Sequence, residues 1–443
     1  MTDAALGTGP VSHRRILAVA LPIVLSNATV PILGIVDTGV VGQLGEAAPI
    51  GAVGIGAIIL TTIYWIFGFL RMGTTGLVGQ AHGAGNSAEV AALLTRAILI
   101  AWTAGLVLIL LQKPIFAGAF MISPASEEVE TLARQYMSIR VWSSPAAIAV
   151  FGFTGWLIAQ ERTRSVLAIQ LAMNGLNIGL DFLFVLGFDW GVQGVAYATF
   201  IAEWSGMALA IWLCRDAFAI PSWRDPARVF DRERLVHMAS VNTDILIRSL
   251  LLQIVFVSFL FYGADLGDVE LAANQVLLQF LEVTAYAMDG FAFAAEALVA
   301  QALGARRRDL LRRSAIATSQ WGIGSCVVLS LAFAGFGGAI IDTMTTAEDV
   351  RAAARLYLPW MALAPLLGGP AWMLDGIFIG ATRSRDMRNM MIVSVAIYGA
   401  ALAVLMPAFG NHGLWMALLI SFVARGATLG TRYGALERTA VVG

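Results

Sequence analysis

Twelve stretches of nearly unbroken apolar residues, most of them about twenty residues long, run through this 443-residue chain. A run of that length matches a bilayer hydrocarbon core about 30 Å thick at a rise of about 1.5 Å per residue. Backbone inside lipid must satisfy its own hydrogen bonds, so each run reads as a helix. The runs and their breakers place helices near 15–43, 49–80, 93–112, 135–159, 166–187 and 191–214. A second six follow near 239–262, 271–300, 315–341, 354–380, 390–409 and 413–434. Composition agrees: hydrophobic residues make up 58% and charged residues 13%, against about 45–50% and about 25% in soluble domains. The expected fold class is therefore an all-α integral membrane protein with twelve transmembrane helices.

Arginine placement orients these spans, because basic loops stay in the cytoplasm. With His13, Arg14 and Arg15 inside, the alternate loops carrying Arg162, Arg164, Arg215 to Arg234, Arg306 to Arg313, Arg383, Arg385 and Arg388 also fall inside. The opposite loops carry Glu46, Glu127, Glu128, Glu130, Asp189, Asp265, Asp268, Glu270, Glu348 and Asp349. Both termini are thus expected in the cytoplasm. The polar Met1–Pro10 segment shows no small-residue cleavage site after the first apolar run, so that run reads as a retained span. Residues 215–238 form the one long polar connection, expected to hold a short amphipathic helix.

The chain repeats itself. GLVGQAHGAG at 76–85 aligns with ALVAQALGAR at 297–306, at an offset of 221. Gly155 and Arg164 match Gly376 and Arg385 at the same offset, and WGVQGV matches FGNHGL at 219. Six spans per half is an even number, so both halves enter from one side. The reading is two pseudo-symmetric six-helix lobes, residues 1–214 and 239–443, joined by the 215–238 linker around a central cleft.

Carboxylates inside a span cost about 2.5–3.5 kcal/mol on insertion scales, so each needs a reason. Asp37 lies six residues after Pro31, which lacks the N–H that would bond the Asn27 carbonyl. A buried acid next to a weak point in its helix suits a protonation switch; capping by a neighbouring hydroxyl such as Thr38 is the structural alternative. Asn174, Asn177 and Asp181 share one face of the fifth span. With Thr199 of the sixth they form either a proton or Na⁺ site or a polar seam between helices. In the second half, Asp244 and Arg248 are spaced to pair along one helix, Asp289 and Glu296 share a face, and Asp375 stands mid-span with no neighbouring base. Asn174, Asp289, Asp375 and Arg248 are the candidates for meeting substrate in the cleft. Trp65, Phe69, Met72, Met173, Met288 and Met373 offer adaptable apolar surface, though such residues usually fill a core.

Other classes of function lack their signatures. There is no G-x-x-x-x-G-K-[ST] phosphate loop, no H-E-x-x-H and no G-x-S-x-G elbow. Cys214 and Cys326 make neither a disulfide framework nor a metal motif. His82 at a helix end reads as a polar cap. A net charge of −1 gives no reason to expect nucleic acid. The arginines at 306–313 set topology in the first instance, with lipid headgroups as the other reading.

The segments LPIVLSNATVPILGIVDTGVVGQLG, RMGTTGLVGQAHGAGN, NTDILIRSLLLQ, LAANQVLLQFLEVTAYAMDGFAFAAEALVAQALGAR and MLDGIFIGATRSRDMRNMM together resemble the multidrug and toxic compound extrusion (MATE) transporters, in the branch of DNA-damage-inducible protein F. The resemblance covers nearly the whole chain. It implies a V-shaped pair of lobes, a bacterial inner-membrane location, no cofactor and no catalytic residues. It also implies efflux of cationic or amphipathic small molecules by a monomer among membrane lipids, coupled to inward H⁺ or Na⁺. By the same resemblance Asp37, Asn177, Asp181 and Thr199 are the coupling residues, with Na⁺ a possible occupant at Asp37, Asn177 and Asp181. Asp375 corresponds to a second-lobe acid of some relatives. Their seventh-span glutamate has no match among Leu251, Leu252 and Gln253, which tilts the expectation toward H⁺. The competing expectation is a flippase for lipid-linked precursors, which calls for a cationic cleft; the intramembrane charges read as mainly acidic, with Arg248 the exception.

Overall fold

The computed structural model describes residues 10–43, 46–122 and 126–440. The N-terminal residues 1–9, and Leu44 and Gly45 of the first-span motif, lie outside them. Among the described residues all regular structure is helical, and twelve helical spans are long and apolar enough to cross a membrane. Spans 1 to 6 are His13–Gly42, Ala47–Gly83, Ser87–Leu110, Glu127–Ala159, Thr163–Gly187 and Gly191–Leu213. Spans 7 to 12 are Arg232–Leu266, Asp268–Gly304, Arg308–Met344, Glu348–Gly380, Ser384–Phe409 and Asn411–Thr439. Every expected span is present, and most run several residues past the apolar stretch. The lipid sets where the apolar run ends, whereas the helical hydrogen bonds continue into polar turns such as Glu127–Glu130 and Arg308–Arg313.

Several first-half spans are interrupted. Span 1 divides at Thr29 into His13–Ala28 and Val30–Gly42, with Pro31 in the first turn of the second piece. There its missing N–H is harmless, because the first N–H groups of a helix have no intrahelical partner anyway. Span 2 breaks between Ile66 and Phe69, span 4 passes through a 3₁₀ turn at Val141–Ser143, and span 5 ends in a π-helical turn, Phe182–Gly187. Spans 7 to 12 are each one continuous helix, even span 10 with Pro359, Pro365 and Pro370 inside it.

The duplication is visible in the backbone. Helix ends at Glu161, Arg306 and Thr382 adopt positive φ of 60°, 55° and 52°. The next amides bond back to close Schellman turns: Arg162 to Leu157, Arg307 to Ala302 and Arg383 to Phe378, at 2.9, 2.9 and 3.0 Å. Glu161 and Thr382 are 221 apart, as are Gly85 (φ 71°) and Arg306. Gly191 and Gly410, 219 apart, share φ of 54° and 56°. Close approaches repeat as well. A Cβ on Gly155 would stand 2.4 Å from the Arg71 carbonyl oxygen, and one on Gly376 would stand 2.6 Å from that of Ala292. Arg71 and Ala292 are again 221 apart, so the same backbone-to-backbone seam is built twice.

Packing divides the chain into two compact units. One holds residues Leu25–Val78 and Asn86–Leu235; its core includes Leu60, Tyr64, Tyr136, Met137 and Val195. The other holds the residues up to Val24, Gly79–Gly85 and those from Val236, around Phe259, Phe280, Phe333, Trp415 and Phe422. Residues 79–85 belong to the second unit because matching glycines seat on each other's helices there. A Cβ on Gly83 would meet the Gln301 oxygen at 2.0 Å, and one on Gly304 the Gln80 oxygen at 1.9 Å.

The polar connection is shorter than its polar composition indicates, since span 7 starts at Arg232. Instead of one amphipathic helix it makes three short turns, Arg215–Phe218, Pro221–Arg224 and Pro226–Val229, punctuated by its two prolines. Buried Arg96 of span 3 pins it, donating to the carbonyls of Val229 (2.9 Å) and Arg228 (2.6 Å) and pairing with Glu89 (2.7 Å).

Candidate functional site

In the first half, the second piece of span 1, Val30–Gly42, brings Asp37 against span 5. The carboxyl groups of Asp37 and Asp181 lie within hydrogen-bonding reach of each other. Asp181 and Asn177 are almost fully buried, and Thr199 of span 6 is 8% exposed. Asn177 donates to the Thr199 hydroxyl at 3.0 Å, and that hydroxyl donates to the Val195 carbonyl at 3.0 Å. The remaining oxygens are the telling feature. Asp37 Oδ1, Asn177 Oδ1 and both carboxyl oxygens of Asp181 are buried without a hydrogen-bond donor. Buried polar atoms are nearly always paired, and two adjacent ionised carboxylates repel. Thr38, the alternative partner for Asp37, is exposed.

Asn174, a cleft candidate by sequence, bonds at the break in span 1. Its Nδ2 donates to Thr29 Oγ1 at 2.8 Å, Thr29 in turn donates to the Ser26 carbonyl at 2.7 Å, and Gln170 donates to Asn174 Oδ1 at 3.0 Å. Three polar residues one helical face apart in sequence thus serve two adjacent tasks: Asn177 and Asp181 in the cluster, Asn174 at the break.

A second layer backs the acids. Arg140 of span 4 is close enough to act electrostatically on both Asp37 and Asp181. Its guanidinium is held by Glu203 of span 6 at 2.7 Å and donates to the Tyr136 hydroxyl at 2.8 Å. Ser143 bonds the other Glu203 oxygen, and Tyr64 donates to the Arg140 carbonyl at 3.2 Å and meets Ser144 at 2.9 Å. None of these residues was singled out by sequence. Glu203 had a signal, being four residues beyond Thr199 and so on its face.

The second half is wired differently from expectation. Asp244 and Arg248 do not pair along span 7: Asp244 accepts from Arg388 (2.6 Å) and Ser384 (3.0 Å) of span 11, while Arg248 donates to Asp375 of span 10 at 2.7 Å. Each finds an opposite partner on a neighbouring span, which desolvated charges need more than a strained pairing along one helix. Asp375, expected to lack a neighbouring base, has two, since Arg425 of span 12 reaches the same oxygen at 3.1 Å. Asp289 is half-buried on span 8, seven residues before buried Glu296. The expected acidic interior is corrected too: Arg71, Arg96, Arg140, Arg248 and Arg425 are all buried within spans.

A duplicated bundle of twelve apolar spans, with polar clusters sunk among them, defines a multi-pass membrane protein of the secondary-transporter class. The MatE family profile matches it twice, over residues 22–183 and 245–405, once in each half, and the chain belongs to that family. It is 38% identical to DNA damage-inducible protein F of Escherichia coli K12, over 94% of this chain and 91% of that one. It is 24% identical to the probable multidrug resistance protein NorM of Rhizobium meliloti, over 97% and 94%. Among solved structures, the Vibrio cholerae MATE transporter VcmN in its bent form superposes with a TM-score of 0.86 at 20% identity, covering 96% and 97% of the two chains. A MOP-superfamily transporter from Pyrococcus furiosus gives 0.87 at 16% identity, covering 99% of each.

Proposed function

We propose that this protein is a secondary active efflux transporter that exchanges an inward cation, H⁺ before Na⁺, for drugs or other amphipathic or cationic small molecules. It works as a monomer in the bacterial cytoplasmic membrane, both termini inside and no cofactor required, by alternating access between lobes 1–214 and 239–443. The carrying observation is the Asp37–Asp181 contact with its donorless buried oxygens. One proton turns either acid into a donor for the other and removes the repulsion between them. The pair then titrates as a unit. Span 1 is already divided at Thr29, eight residues from Asp37, so a change of charge at the acid acts on a helix with a ready bending point. Protonation shifts the equilibrium only in so far as it favours one state over the other.

Na⁺ is the second reading for the ion, supported by four buried oxygens of Asp37, Asn177 and Asp181 that have no donor. The neighbouring Arg140 opposes either ion alike, because its guanidinium attracts the ionised carboxylates; H⁺ is put first because two adjacent carboxyls can share one proton. For the cargo, the flippase reading draws support from one place, the two buried arginines sharing Asp375.

Ethidium efflux from liposomes, with a pH gradient and a Na⁺ gradient imposed separately, tests this. Efflux driven by pH alone and lost in Asp37→Asn is the expected result. Drive by Na⁺ alone moves the ion assignment, and no efflux under either gradient refutes the drug-export reading.

A further inference from the structure

The arginines at the start of span 9 are not used by the coupling site, and they stand at the end of a groove. The groove is a cavity of about 830 Å³ between spans 9, 10 and 12, within the about 300–1,000 Å³ range of small-molecule sites. Span 9 lines it with Arg312, Ile316, Ser319, Gln320 and Ile323, spaced on one helical face. Leu374 and Ile377 of span 10 form an apolar wall, and Tyr433 and Glu437 of span 12 close the arginine end.

We propose that this groove is a binding site for an anionic glycerophospholipid, its phosphate at the arginines and one acyl chain along the apolar wall. Three observations carry it. Glu437, with its side chain only 9% exposed, faces both Arg308 (3.2 Å) and Arg312 (3.8 Å), yet these side chains stay 52% and 66% exposed. They are held in place with donors to spare, as forked recognition of a phosphate requires. Arg306, Arg307 and Arg313 are close by in sequence, Arg307 being paired with Asp309 at 2.8 Å. Depth agrees as well. Ile323 lies eleven residues beyond Arg312, about 17 Å along the helix. That is close to half the roughly 30 Å hydrocarbon core, the reach of a chain whose headgroup sits at the arginines. Between them, Ser319 and Gln320 put polar groups on a face that carries the 48% exposed Ile316. Basic pockets between spans are a recurrent means of holding anionic headgroups.

The test is native mass spectrometry of the full-length protein equilibrated with equimolar phosphatidylglycerol and phosphatidylcholine. Wild type should retain phosphatidylglycerol preferentially. Arg308→Gln with Arg312→Gln, which keeps amide donors for Glu437, should cut that preference by about tenfold. Ile316→Trp, at an exposed position, should lower retention of both lipids while leaving the arginines in place. Equal retention of the two lipids by wild type, or an unchanged preference in the double variant, overturns the proposal. Displacement of phosphatidylglycerol by excess inorganic phosphate with Ile316→Trp silent overturns it in favour of a simple anion site.

Discussion

The two halves share a backbone plan and differ in how they treat buried charge. Their helix ends turn at matching positions, and matching glycines make matching close contacts. Yet the first half has breaks or irregular turns in spans 1, 2, 4 and 5, while the second keeps every span whole. The first half sets two carboxyls together and leaves three of their four oxygens buried without donors. The second gives Asp375 two arginines and Asp244 an arginine and a serine. Duplication kept the frame; divergence left one half with adjoining carboxyls among interrupted helices and gave the other ion pairs among unbroken ones. Irregular helical turns are frequent at functional sites, and here they fall in the half that carries the unsatisfied acids.

The sharpest way to break this comparison is to remove one charge from each half. Asp375→Asn leaves Arg248 and Arg425 buried without that carboxylate and should cost about 3–5 kcal/mol. Asp181→Asn relieves a carboxyl–carboxyl contact and should leave stability unchanged or raised, while ending gradient-driven efflux. Thermal melts of both variants in one detergent read the difference directly. If Asp181→Asn destabilises as much as Asp375→Asn, the first-half acids are structural.

A smaller effect tests the shared frame. Gly83→Ala and Gly304→Ala each push a methyl group against the backbone oxygen of the other half's matching helix, Gln301 or Gln80. Each should cost about 1–3 kcal/mol through overpacking, and the two penalties should match. Unequal melting shifts would show that the repeat is one of sequence and not of load.

The fold was legible because apolar run length answers to the bilayer, which acts on every span alike. The repeat was legible because its turns need particular residues: the aligned GLVGQAHGAG and ALVAQALGAR carry the glycines of the close contact. Asp37, Asn177, Asp181 and Thr199 were legible as polar residues in lipid. Their second layer was not. Arg140 and Glu203 meet from spans 4 and 6, 63 positions apart, and Asp375 meets Arg248 across 127; no local spacing encodes such pairs. The same limit misassigned the Asp244–Arg248 pair, where i,i+4 spacing was a true neighbour relation but not the strongest one available. Pro31 announced the break in span 1, whereas the break at 67–68 carries no proline.

The smallest expected effect concerns that break in span 1. Asn174 donates to Thr29 at 2.8 Å, at the one non-helical position between Ala28 and Val30. Asn174→Ala removes this link without touching either acid, and a hydrogen bond of this kind contributes about 1 kcal/mol. Amides of residues 26–33 should then exchange about fivefold faster, while those of span 7, an unbroken helix at the corresponding place in the second half, should not change. Coupled efflux should persist, since Asp37 and Asp181 are intact. Unchanged exchange at 26–33 would mean that Thr29 is held by its own bond to Ser26 and that Asn174 belongs to the acid cluster after all, as its place three residues before Asn177 first indicated.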